Sequence, residues 1–164
     1  MATTIFKERM TVENENSVVI FLIGMRINKT WKFWKWFPVA AAMTRMLTEL
    51  AKHPEMGLLN ARTYLGFPRI IMVVQYWRSF EDLITYAGSK DAAHLPAWRD
   101  FNRRISSNGD VGIWHETYQI PSGQYESVYN NMPAFGLGEV FTLVPATGHR
   151  VSAVARMRAE HRQA

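Results

Sequence analysis

The sequence predicts an α+β domain of the ferredoxin-like βαββαβ type, one sheet carrying two helices, and three observations point there. The first is the order of periodicities, which runs strand, helix, strand, strand, helix, strand from Ser17 to Ile120. The second is a hairpin signal, two β-rich runs joined by Gly66-Phe67-Pro68. The third is that Ser17–Arg26 and Arg69–Trp77 are apolar on both faces. Helices on one side leave the other face apolar, and a second copy of the chain is its natural cover.

The elements follow in order. Residues 1–16 are polar and read as a loose arm. Ser17–Arg26 is a continuous β-branched run, suited to a central strand. After the aromatic-lysine stretch Trp31–Phe37, Pro38 is expected to open a helix, with Val39, Met43, Met46, Leu47 and Leu50 on one face. His53-Pro54 and Gly57 end it. Leu58–Leu65 and Arg69–Trp77 form the hairpin. Ser79 caps the next helix, with Asp82 at its third position and Phe80, Leu83, Ile84 and Ala87 on one face. A helical pattern resumes at Ala92, where His94, Trp98, Phe101 and Ile105 share a stripe. Residues 123–164 read as a C-terminal extension of a single domain, 1–164. Within it Gln124–Tyr129 and Val140–Val144 are candidate strands and Ser152–Arg162 a short helix.

Composition bounds the chemistry. Cysteine is absent, which removes disulfides, thiolate metal sites and a cysteine nucleophile. No uncharged apolar stretch reaches the roughly 20 residues of a membrane span, so a soluble, cytoplasmic protein is expected. The net charge of +5 is uneven: no acidic residue lies between Glu15 and Glu49, where Arg26, Lys29, Lys32, Lys35 and Arg45 fall. No nucleic-acid recognition motif accompanies this basicity.

The stretch Gly112–Ile120 carries the most chemistry. Alternation puts Ile113, His115 and Thr117 on one face and Trp114, Glu116 and Tyr118 on the other. His115 is either a histidine satisfied by a neighbouring carbonyl or a proton donor and acceptor in a pocket. A zinc-protease pattern is absent, since no second histidine follows one turn later. A non-haem iron site from His94, His115 and Glu116 is disfavoured because the strand sends His115 and Glu116 to opposite faces.

Resemblance adds to this reading. The run Gln75–Leu83, followed by His94 and Phe101, resembles the second half of the dimeric α/β-barrel superfamily of small monooxygenases, haem-degrading enzymes, chlorite dismutases and aldoxime dehydratases. More closely, Gly24-Met25-Arg26-Ile27-Asn28-Lys29, Trp34-Lys35-Trp36 and Gly112-Ile113-Trp114-His115-Glu116 resemble a small family grouped with the monooxygenase of the fumagillin pathway, over residues 5–155. The resemblance implies a homodimeric oxidoreductase of monooxygenase type acting on a small or medium apolar substrate. It implies haem b, with His94 as the axial iron ligand and Trp98 and Phe101 beside it. His115, 21 residues after His94, resembles the distal histidine of aldoxime dehydratases. With Glu116 it is the catalytic candidate, and Trp34, Trp36, Trp114 and Tyr118 are the candidate substrate pocket. The alternatives are a haem-dependent lyase of aldoxime-dehydratase type, a cofactor-free barrel monooxygenase, and a non-catalytic haem or lipophile binder. For Trp31–Phe37 three readings stand: a dimer interface, a cap over an apolar pocket, and peripheral membrane contact.

Overall fold

The computed structural model describes residues 4–13, 15–89, 99, 101–103 and 108–157. They form two compact units, one of Ile20–Tyr118 and one of the flanking residues up to Val19 and from Gln119. Strand β2 (Val18–Ile27) crosses from one to the other. The larger unit continues with helix α1 (Phe33–Lys52), the hairpin β3 (Leu58–Gly66) and β4 (Ile70–Trp77), helix α2 (Phe80–Gly88) and β5 (Val111–Ile120). The sheet order is β3-β4-β2-β5, so the two central strands are the two most apolar runs of the sequence. That is the order a split βαβ unit produces.

Burial along β4 alternates. Val73, Gln75 and Trp77 are buried, and the residues between them are half-buried. The buried side faces the helices: α1 lays Met43, Met46 and Leu50 on it, and α2 lays Leu83 and Tyr86. The spacings are helical, three and four along each helix. At one end a core forms from Met25, Ile27 and Val111, with Trp36, Val39, Ala40, Ile71 and Phe101 packed on it.

Helix α1 begins at Phe33, five residues before the expected start, so Pro38 lies inside the helix. No side chain caps it and no acid sits in its first turn. Packing sets this start. The Trp36 ring reaches the Met25–Ile27–Val111 core, and its indole N–H donates to the Thr30 carbonyl at 2.9 Å. That partial burial helps offset the backbone hydrogen bond that Pro38 withholds. At α2 the expected cap is present: Ser79 Oγ accepts from the Asp82 amide at 3.0 Å. Hairpin register is antiparallel, with Leu65 opposite Ile71 and Tyr64 opposite Met72.

Asp110 ties β5 to β2. Its carbonyl accepts from the Asn28 and Lys29 amides at 3.1 and 3.3 Å. Its carboxylate accepts from Lys29 Nζ at 2.8 Å and Lys32 Nζ at 3.0 Å. Those hydrogen bonds, Lys29 first and then Lys32, hold the carboxyl below the usual carboxylate range. A depressed folded-state value supplies stability above the unfolded value, which is lost as pH falls through the folded one. Asp110→Asn is therefore expected to lower the melting temperature at neutral pH and to flatten its decline below about pH 4. Parallel acid limbs for the two proteins in thermal melts against pH would contradict this account.

In the smaller unit the arm is partly structured. Met10–Val12 is a strand, β1, antiparallel to β6 (Leu143–Pro145), and all three of its residues are buried. Three residues are too short for a periodicity to announce itself. Gln124–Tyr129 makes an isolated bridge, Met10 to Tyr129, rather than a strand. Val140 ends a helical turn, Leu137–Val140, and the strand starts three residues later than expected. The last described helix, Ala153–Met157, holds Arg156, which is buried against Glu126 at 2.7 Å. Among the described residues no helix is long and apolar enough to cross a membrane.

Candidate substrate cleft

Between the buried sheet face and the two helices lies a small enclosed space of about 40 Å³. Its walls are Phe21 and Ile23 from β2, the two methionines and Leu50 from α1, Trp77 and Gln75 from β4, and Leu83, Tyr86 and Ala87 from α2. Met43 and Met46 make the wall deformable, since unbranched thioethers adopt many rotamers at low cost.

Two polar groups interrupt this lining. Gln75 is 5 % exposed, and its Oε1 accepts from the Trp77 indole at 2.8 Å. Trp77 in turn tilts against Tyr86, ring centroids 5.8 Å apart. The Tyr86 hydroxyl donates to Glu49 Oε2 at 2.9 Å. Burial first, then that hydrogen bond and the Glu49 charge, push the Tyr86 hydroxyl well above the usual phenol range. The phenol therefore stays neutral, with its one O–H donated to Glu49.

His115 sits on the helix-covered side of the sheet, as alternation requires. Its ring lies 5.5 Å from that of Phe21, tilted by 41°, and Phe21 is a wall of the cleft. The imidazole itself is exposed. Glu116 goes to the opposite face, where its carboxylate accepts from the Tyr118 hydroxyl at 2.5 Å. That contact raises the Tyr118 hydroxyl above its usual range. The strand thus parts the two catalytic candidates.

The four pocket candidates also part. Trp36 is in the core beside Met25, and Trp34 is exposed. Trp114 lies flat over Gly24 on the face away from the helices: a Cβ on Gly24 would come within 2.7 Å of its indole nitrogen. Only glycine admits that approach. Tyr118 shares the Trp114 face and is exposed. Phe101 packs against Met25, Ile27 and Val111. His94 and Trp98 lie outside the described residues. No cluster of three metal-binding side chains occurs among the described residues.

Gln75, Tyr86 and Glu49 went unnamed as site residues, although the sequence held a signal for two of them. Gln75 is a polar residue at an inward position of an apolar strand, and Tyr86 falls three residues after Leu83. Glu49 needs the fold, because nothing local pairs it with Tyr86.

The three motif segments now have a common setting. Gly24 and Trp114 interlock on adjacent strands, Asn28 bonds the Asp110 carbonyl, and Trp36 covers Met25 and Ile27. A family profile described as Monooxygenase af470-like matches residues 18–137, which contain all three. Monooxygenase af470 of Aspergillus fumigatus is 26% identical over 137 residues, covering 76% of this chain. The chain spans 46% of that relative, about half its length. Two solved structures of aldoxime dehydratase share the fold. One, in complex with butyraldoxime, has a TM-score of 0.64 at 13% identity, covering 81% of this chain and 40% of its own. The other has a TM-score of 0.66 at 15% identity, covering 86% and 43%. At such identities the likeness is one of fold, and it agrees with the strand order seen here. On the profile match, across the whole sheet and both helices, this chain belongs to the monooxygenase af470-like family.

Proposed function

We propose that the chain is an oxidoreductase of monooxygenase type, and that a small or medium apolar substrate enters the cleft between the sheet and helices α1 and α2. The family assignment supports the reaction class, and the lining of the cleft supports the substrate class. Apolar walls with few polar groups bind by desolvation and orient by those few groups. Gln75 and the ring of Tyr86 line that space, and the methionines of α1 give way to admit the ring or chain. His115, beside Phe21, gives or takes the proton as the substrate reacts.

The haem reading turns on His94 and Trp98, which lie outside the described residues. Among the described residues the sheet and helices enclose about 40 Å³, and His115 is exposed on that face. The proposal accordingly rests on the chain's own side chains. A haem-dependent second reading rests on His94 as the iron ligand, and it includes a lyase of aldoxime-dehydratase type. What favours that lyase is the fold overlap with the butyraldoxime complex over 81% of the chain. A homodimer belongs to the proposal too: Ile20, Leu22, Met72, Val74 and Tyr76 leave the other sheet face apolar and half-buried.

Turnover separates these readings. Oxygen uptake with one oxygen atom gained by the product and the other released as water, the substrate itself supplying the two electrons, supports the monooxygenase. Anaerobic nitrile formation from butyraldoxime supports the lyase. Neither activity would leave a binding protein. Haemin titration tests the cofactor on its own: a Soret shift that His94→Ala removes supports haem, and no shift leaves the cofactor-free monooxygenase.

A further inference from the structure

We infer that the end of the sheet where β2 passes into α1 is a docking surface for an anionic lipid membrane. Two connections meet there, Asn28–Lys32 and the hairpin tip Gly66–Arg69. The Ile27 amide donates to the Arg69 carbonyl at 2.8 Å, and the Arg69 guanidinium to the Asn28 carbonyl at 3.3 Å. The start of β5 joins them through Asp110, 3.1 Å from the Asn28 amide.

These segments turn large apolar side chains outward. Trp31 is 65% exposed, Phe33 62%, Trp34 56% and Phe37 62%, and at the hairpin Leu65 is 75% and Phe67 96% exposed. The helix explains the first group: with Trp36 committed to the core, Phe33, Trp34 and Phe37 fall on its outer arc. Leaving this much aromatic surface in water is unfavourable, and patches of this kind mark interaction sites.

Charge complementarity selects the occupant. Arg26, Lys29, Lys32, Lys35 and Arg69 belong to the same end. The carboxylate brought among them, Asp110, is held by Lys29 and Lys32. Lysine is depleted in the core of protein interfaces, whereas Trp and Phe interleaved with Lys is the composition of a surface that sits in lipid headgroups. The shape agrees. Phe67 stands on a hairpin tip with almost all its surface free, so it protrudes rather than lining a groove. Aromatic rings at headgroup depth and cations against anionic lipid act together, as two weak anchors do.

The test is flotation of the purified chain with phosphatidylcholine vesicles, with and without phosphatidylserine, at low and high salt. Binding is expected to the phosphatidylserine vesicles and to weaken with salt. The double variant Trp34→Ser, Phe67→Ser should reduce partitioning about tenfold or more, while Ile84→Ser, on exposed α2 surface, should not. Quenching of tryptophan fluorescence by brominated lipid in the unaltered chain gives a reading that needs no variant to fold. Absence of both flotation and quenching overturns the inference, and so does flotation that the double variant leaves intact. Light scattering covers the remaining occupant. A dimer that the double variant converts to monomer, with no vesicle binding, would make this face a contact between copies.

Discussion

Trp77→Ala is expected to lower the unfolding free energy by about 3–5 kcal/mol, the range for emptying a buried aromatic site. Trp77 is 1% exposed and is the largest fully buried side chain among the described residues. Its removal does three things. It opens a void beside a space that already exists, so the walls gain little by collapsing inward. It deprives Tyr86 of its ring partner. It also takes the indole N–H from Gln75 Oε1, and a buried acceptor left unpaired costs about 1–3 kcal/mol by itself. Trp77→Phe keeps most of the volume and loses the donor, so the difference between the two variants separates packing from hydrogen bonding. Urea unfolding followed by circular dichroism measures both. A loss under about 1 kcal/mol for Trp77→Ala would mean that α2 is not packed on the sheet as described.

The enlarged cleft has a functional side. If the substrate enters between α1, α2 and the sheet, Trp77→Ala should admit bulkier apolar molecules, and such a ligand should restore part of the lost stability. Ligand binding to the folded form raises stability by mass action.

The sheet was legible because its strands differ in kind. Val18–Ile27 and Ile70–Trp77 are apolar on both faces, and those two strands are central. Ser79 announced α2 because a cap is a local interaction, complete within four residues. The start of α1 was not legible, since it depends on Trp36 finding Met25, Ile27 and Val111, which lie elsewhere in the sequence. The strand Met10–Val12 escaped for the same reason: its partner, Leu143–Pro145, is more than a hundred residues away. The site was half legible. Alternation placed His115 and Glu116 on opposite faces, as observed. Proximity in sequence could not show that Trp34, Trp36, Trp114 and Tyr118 scatter over core, solvent and the far sheet face. The motifs that carried the family resemblance turn out to describe how β2, β5 and α1 lock together. They identify the family through its packing, and the cleft proposed for the chemistry lies beside them.

That chemistry is tested most directly by the two neighbours on β5. His115→Ala is expected to lower kcat by about 10²–10⁴, the usual contribution of a positioned acid-base group. Its effect on stability should be small, because the imidazole is exposed and what it loses is one ring contact with Phe21. Glu116→Gln should alter turnover far less, since the strand carries Glu116 to the other face, against Tyr118. A proton carrier also leaves a signature that a structural residue does not. A pH-dependent limb that the unaltered chain shows in its rate profile should vanish in His115→Ala. His115→Gln should keep the packing without restoring that limb. Equal losses in the His115 and Glu116 variants would move the reaction to the face that carries Trp114 and Tyr118, between the sheets of a dimer. Full activity in both would take β5 out of the reaction and leave Tyr86 as the polar group to replace next.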